Sequence, residues 1–276
     1  MVIFNVKLYS NMKSVLGIII FLGVILLYLH IKYHITLSDT MQVYVFSSIH
    51  KKQLEDVAYF KQPIQFNYNM HMEDHPTLKE LNMIDTTTYD EIPLTENASK
   101  VLFKQSTYYT EYNTLDESLI GTLSVHDALF APLNTLFNEY DVIFGSDKAC
   151  TQLKHNLAYR HILYVASGDP ITIKLLPPKY NGLVSCENNY QHLTVTSKEN
   201  LWNAPYQDKI ITLELTKHQA VSIPSYWWYS IQLKATTKIY SFKYYTTMNA
   251  LSISPIILTK YYQQYNAKNI ININGE

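Results

Sequence analysis

The sequence predicts a mainly β protein, a sandwich or jelly-roll barrel with flanking helices, behind a single transmembrane helix. Three observations carry that expectation. Val15 to Ile31 reads VLGIIIFLGVILLYLHI, an apolar run whose only polar residue is His30. Beyond Val101, short stretches rich in β-branched and aromatic residues recur, with turn signals such as Gly168-Asp169-Pro170 and Pro177-Pro178 between them. Of the 276 residues, 47% are hydrophobic and only 16% charged, a balance that supports a full hydrophobic core and argues against disorder.

The N-terminal run is close to the ~20 residues that cross ~30 Å of hydrocarbon, and in lipid its backbone has to be helical. Lys13 and Lys32 bracket it, so no charged side chain is buried. A cleaved signal peptide would show a small-residue cleavage site, whereas YHITLSDTMQ follows here. A core helix would keep a polar face, and this one has none. The expected organisation is a short tail over 1–14, an uncleaved signal-anchor in the lipid bilayer over 15–31, a domain over 42–250 and a C-terminal extension over 251–276. Lys7 and Lys13 precede the helix while Lys32 alone closely follows, which favours a cytoplasmic N-terminus with the domain on the far side. Lys51 and Lys52 weaken that bias. The sequon Asn97-Ala98-Ser99 makes Asn97 a glycosylation candidate and fits a lumenal domain.

Along the domain, Gln42 to Phe46 alternates like a strand. Gln53 to Phe60 has helical spacing at Leu54, Val57 and Ala58, and ends before Lys61-Gln62-Pro63. Pro63 to Phe66 starts a strand. Residues 70–100 are polar, threonine-rich and broken by Pro76 and Pro93, and read mostly as loop. Strands are expected over Leu102 to Tyr112, Asp141 to Phe144, His161 to Ala166, Thr172 to Leu176, His192 to Thr196, Ile210 to Leu215, Ala220 to Ile223 and Lys238 to Tyr245. A helix is expected around Thr259 to Tyr265.

A formal net charge of −1 removes the electrostatic case for a nucleic-acid partner. Two cysteines, Cys150 and Cys186, are too few for a disulfide framework or a Cys-rich zinc site, and whether they pair is open. No P-loop, dinucleotide fingerprint or Ser-His-Asp grouping is present. His71-Met72-Glu73-Asp74-His75 has ligand-type side chains but lacks the helical H-E-x-x-H spacing, and reads as a solvated loop.

Three segments in order carry a resemblance. The first is the helix followed by Lys61-Gln62-Pro63-Ile64. The second runs from Asp141-Val142-Ile143-Phe144-Gly145-Ser146 through Leu153-Lys154-His155 and Gly168 to Leu175-Leu176-Pro177-Pro178. The third is LTKHQAVSIPSYWWYS, Leu215 to Ser230, with Ile223-Pro224-x-x-Trp227-Trp228 its specific piece. In this order they resemble the cupin-like branch of the JmjC family, Fe(II)- and 2-oxoglutarate-dependent oxygenases built on a double-stranded β-helix. The resemblance spans about residues 42–247.

It implies the fold and argues against the activity. The family holds iron with two histidines and a carboxylate, and its H-x-D pair works because residues two apart on a strand share a face. Here His155 stands at the first ligand position, Leu157 at the carboxylate and Tyr229 at the second histidine. The family's co-substrate lysine falls at Pro170 or Ile171, with Lys174 the nearest cation, and His218-Gln219 replaces the usual Gly-Asp turn. The expectation is therefore no catalytic residue, no metal and no cofactor. The chain would act as a binding or scaffolding module for a small molecule or protein, with His155, Tyr159, His161, Trp227, Trp228 and Tyr229 as pocket candidates. His155, Tyr159 and His161 share strand parity with Leu157 and are expected to face the barrel interior. A repurposed metal site from His155, His161 and Tyr229 stays open beside a tyrosine-lined polar pocket, as Trp227-Trp228 reads as core and rim packing. The alternatives are an Fe(II)/2-oxoglutarate hydroxylase with atypical ligands and a purely structural membrane-bound jelly roll.

Overall fold

In a computed structural model, residues 2–36, 40–70, 78–94 and 107–273 are described. The chain divides into two compact units, Met1–Thr36 and Leu37–Glu276. The first is one helix, α1 (Val2–Ile35), whose stretch Val15–Tyr33 is long and apolar enough to cross a membrane.

The second unit is two β-sheets with helices against them. Its elements are β1 (Tyr44–Phe46), α2 (Lys51–Ala58), β2 (Ile64–Asn67), β3 (Leu78–Asp85), β4 (Glu91–Leu94), β5 (Tyr108–Thr110), β6 (Thr114–Leu115), α3 (Glu117–Ser124), α4 (Asp127–Phe130), β7 (Thr135–Gly145), β8 (Leu153–Asn156), β9 (Arg160–Ser167), β10 (Ile171–Leu176), β11 (Glu187–Asn189), β12 (Thr194–Ser197), β13 (Ile211–Leu215), β14 (Gln219–Pro224), β15 (Trp228–Gln232), β16 (Lys238–Thr246), α5 (Thr247–Ser252) and α6 (Ser254–Ile273). The large sheet has the order β1-β2-β14-β9-β16-β7-β5-β3-β4, with β6 on β3, and the small sheet β11-β12-β8-β15-β10-β13. From β7 to β10, and again from β13 to β16, successive strands alternate between the sheets.

Side-chain alternation gives three cores. Leu163, Val165, Val221, Ile223 and Ile239 of the large sheet meet Ile171, Ile173, Leu175, Tyr229 and Ile231 of the small one. On the other face of the large sheet, Phe66, Val142, Ile162, Tyr164 and Phe242 carry Leu54 of α2, Leu119 and Leu123 of α3, and Phe130. On the other face of the small sheet, Leu153, Leu157, Leu176, Val195 and Trp228 pack with Ile253 beside α6. The sheet turn at Gly168 needs its glycine. Its φ is +93°, and a Cβ there would meet the Thr236 carbonyl oxygen at 2.3 Å.

The expected strands from Asp141 to Tyr245 are all present, with ends shifted by a few residues. The short helix is α2, and the C-terminal helix is longer than expected. Residues 78–94 correct the loop expectation, because they form β3 and β4. Leu81, Met83 and Ile84 are buried, and Pro93 is tolerated because β4 is an edge strand. Two further helices, α3 and α4, were not expected; Asp116 caps α3 by accepting from the Ser118 amide at 3.4 Å. The His71 to His75 cluster, Asn97 and residues 102–106 of an expected strand lie outside the described residues.

Candidate functional site

The strands β8 and β15 lie side by side, with Tyr229 opposite Lys154. This pairing fixes which side chains look between the sheets. Tyr229 belongs to the core between them, and so does its partner position. Lys154 forms an ion pair with Glu111 that is shut off from water, each residue being 1% exposed. The ammonium also lies 5.2 Å from the Tyr112 ring centre and 5.7 Å from that of Tyr229.

Two residues along β8, Asn156 points the same way. Its amide nitrogen lies 3.1 Å from the Tyr229 hydroxyl and 2.7 Å from His161 Nδ1. In that arrangement Nδ1 accepts, so the His161 proton sits on Nε2, which faces Ser241 Oγ at 2.9 Å. Burial pushes the His161 pKa well down, and the nearby Lys243 and Lys154 push it further. Burial and the Glu111 carboxylate hold the Tyr229 hydroxyl well above its usual range. The network therefore ties both sheets together with neutral groups and one neutralised ion pair.

Beside it stands a second carboxylate. Asp141 of β7 accepts from the backbone amides of Tyr112, Asn113 and Val142 at 2.5, 3.0 and 2.8 Å, and from the Asn113 side chain at 3.0 Å. Burial and the Glu111 charge nonetheless push it up to about 6, against the pull of Lys243. Lys243 lies 4.0 Å from Glu139 and 5.1 Å from the Tyr112 ring centre.

Tyr112 stands beside both lysines, with the Lys154 and Lys243 ammoniums near its ring. Its backbone is left-handed, with φ of 62°, and its ring stacks on His192 at 3.6 Å between centres and 9° between planes. Two adjoining clefts open around that stack. One, of about 320 Å³, is lined by Asn113, Glu139, Asp141, Gln191, Lys243 and Lys260 among others. The second, of about 400 Å³, adds Glu80, Asn82, Glu91 and Thr114. These walls present both charge signs and several amide donors, which suits a small polar molecule.

Some of the expected site residues lie between the sheets and others on the outer face of the small one. Tyr229 and His161 do meet between the sheets, with ring centres 5.3 Å apart. His155 does not join them: its ring sits 4.6 Å from Trp228, edge-on, in the outer core. Leu157 lies in that same outer core. The parity expectation for His155 and Leu157 is thus corrected by one residue, so Lys154 and Asn156 take the inward places. The physical reason is the pairing with β12, which sets His155 opposite Val195 on the apolar side. Without a charged partner there, burial lowers the His155 pKa to about 4.

The remaining candidates are structural or peripheral. Trp227 is buried between the sheets and donates from its indole to the Lys61 carbonyl at 3.0 Å. Trp228 packs on the outer side and donates to Asn181 at 2.8 Å. Tyr159 is half-buried and interacts electrostatically with Arg160 and Glu55 rather than with the network. Lys174 faces outward to Gln207 at 2.7 Å and lies over the Trp202 ring. Cys150 and Cys186 are both free thiols.

Sequence reasoning missed Lys154, Asn156, Glu111, Asp141, Tyr112 and His192. The signal for the first two was available: Leu153, His155 and Leu157 alternate as an apolar row, which leaves Lys154 and Asn156 for the other face. Nothing in the sequence joined Glu111 to Lys154, which lie 43 residues apart. Among the described residues, no three of the His, Cys, Asp and Glu side chains stand together as a metal-ligand group. In comparisons with known proteins, no family model matches this chain and no curated protein matches it.

Proposed function

We propose that the chain is a membrane-anchored binding module on a double-stranded β-helix of the JmjC/cupin-like type, with the metal centre replaced by a polar tie between the sheets. The strand order supports the fold reading: β14-β9-β16-β7 faces β8-β15-β10-β13, two interleaved four-stranded halves. His218 supports the alignment of the third motif, since it occupies the family's glycine position and adopts a left-handed φ of 66°. The apolar helix supports the anchor, and the lysine distribution supports a cytoplasmic N-terminus.

The single observation that carries the functional reading is the buried Lys154–Glu111 pair. With the register set by Tyr229, the inward positions that correspond to the family's ligands hold Lys154, Asn156 and Tyr229. These donors do not fit iron. A fixed ammonium repels a divalent cation, an amide offers only a weak neutral oxygen, and a tyrosine with a raised pKa stays protonated. Two clefts around Tyr112 and His192 are open to a ligand.

Ligand-observed NMR with a library of small polar fragments, on the full chain in nanodiscs, tests this. Fragments that bind wild type should lose binding in Lys260→Ala and Gln191→Ala, two cleft-wall changes outside the buried tie. Fragment binding insensitive to both changes, or no binding at all, would overturn the proposal.

A further inference from the structure

The corner of the domain nearest the anchor in sequence is built from exposed aromatic residues. Tyr59 and Phe60, just past the end of α2, are 65% and 58% exposed. Their rings lie 6.2 Å apart, and Phe60 is 6.2 Å from Tyr44 at the start of β1. Lys61 then takes a left-handed φ of 52°, which turns the chain sharply and leaves the two rings at the tip. Among the described residues β1 is an edge strand of the large sheet, with no strand beyond it. On the opposite face of β1, Val45 is 69% exposed, so the edge is apolar on both sides. Lys51 and Lys52 open the same short helix.

The tether limits where this corner can be. Residues 36–43 separate the end of α1 from Tyr44, and at ~3.3–3.6 Å per residue they span at most ~30 Å. Tyr44 therefore stays within ~30 Å of the end of α1. Aromatic rings flanked by lysine are the side chains that settle at the headgroup level of a bilayer.

We propose that Tyr59 and Phe60, beside the half-buried Tyr44, form a membrane-contact surface that rests in the interfacial layer of the bilayer holding α1. This surface rests on the reading of Val15–Tyr33 as a membrane anchor, and goes beyond it by naming a second point of contact.

The full chain reconstituted in phosphatidylcholine–phosphatidylserine vesicles tests it. Phe60→Trp is the reporter, and Leu136→Trp on β7 is the control, an exposed site five strands away in the large sheet. Lipids brominated in the upper acyl chain should quench the fluorescence added by Phe60→Trp at least about twofold more than that added by Leu136→Trp. Aqueous acrylamide should show the reverse order. Equal quenching at the two positions overturns the inference. Carbonate extraction of the same vesicles separates the two ways of failing. A chain that stays with the membrane while the Phe60→Trp reporter behaves as aqueous overturns the contact surface alone; a chain released by carbonate overturns the anchor, and the surface with it.

Discussion

Replacing Lys154 by methionine keeps the length and bulk of the side chain and removes only its charge. Glu111 then loses its ion-pair partner at 1% exposure, with Asp141 close enough to repel it. Breaking a buried pair from one side costs ~3–5 kcal/mol, because the remaining charge is stranded. The lost ammonium contacts with the rings of Tyr112 and Tyr229 add to that cost. Urea unfolding of residues 40–276 should show the midpoint falling by ~1 M or more at pH 7. The double change Lys154→Met with Glu111→Leu removes both charges and should recover to within ~1 kcal/mol of wild type. Lys154→Met costing less than ~1 kcal/mol, or a double variant as unstable as the sum of the singles, would refute the claim that the pair is a dry, mutually dependent tie.

Burial holds His155 neutral to about 4. The unfolded chain takes up a proton from ~6.5 downward, so this group's contribution falls by ~3 kcal/mol between pH 6.5 and pH 4. His155→Phe, which suits the apolar contact with Trp228, should flatten that part of the stability–pH curve, and an unchanged acid limb would contradict the placement of His155. Gly168→Ala should cost ~2 kcal/mol or more, read by thermal unfolding, since it combines a positive φ with a clash against Thr236; a neutral result would mean the turn is not as described. The full-length chain should stay with membranes through carbonate treatment while residues 40–276 remain soluble, and release of the full chain would remove the anchor.

Much of the fold was readable because alternation is a local property. Ile171 to Leu176 and Lys238 to Thr246 announce themselves as strands through β-branched and aromatic residues that the core then uses on alternate faces. The strands β3 and β4 were hidden by threonine and proline, whose meaning changes at a sheet edge. Strand parity and the resemblance grouped His155 with His161 and Tyr229; the last two meet between the sheets, but His155 stands on the other face of β8, and on a strand a single residue is a change of face. The partners of Lys154 were not readable at all. Glu111 reaches it from a different sheet, and only the three-dimensional packing decides that an acid and a base so far apart in sequence neutralise each other.

The most direct test of the central claim is the iron content and turnover of the full chain. After anaerobic loading with Fe(II) and removal of loosely held metal, the account predicts far less than one iron per chain. It also predicts no succinate from 2-oxoglutarate, with Lys154→Met leaving both readings unchanged. One tightly held iron per chain, with succinate released in step with oxygen consumption, would contradict it and favour the hydroxylase alternative.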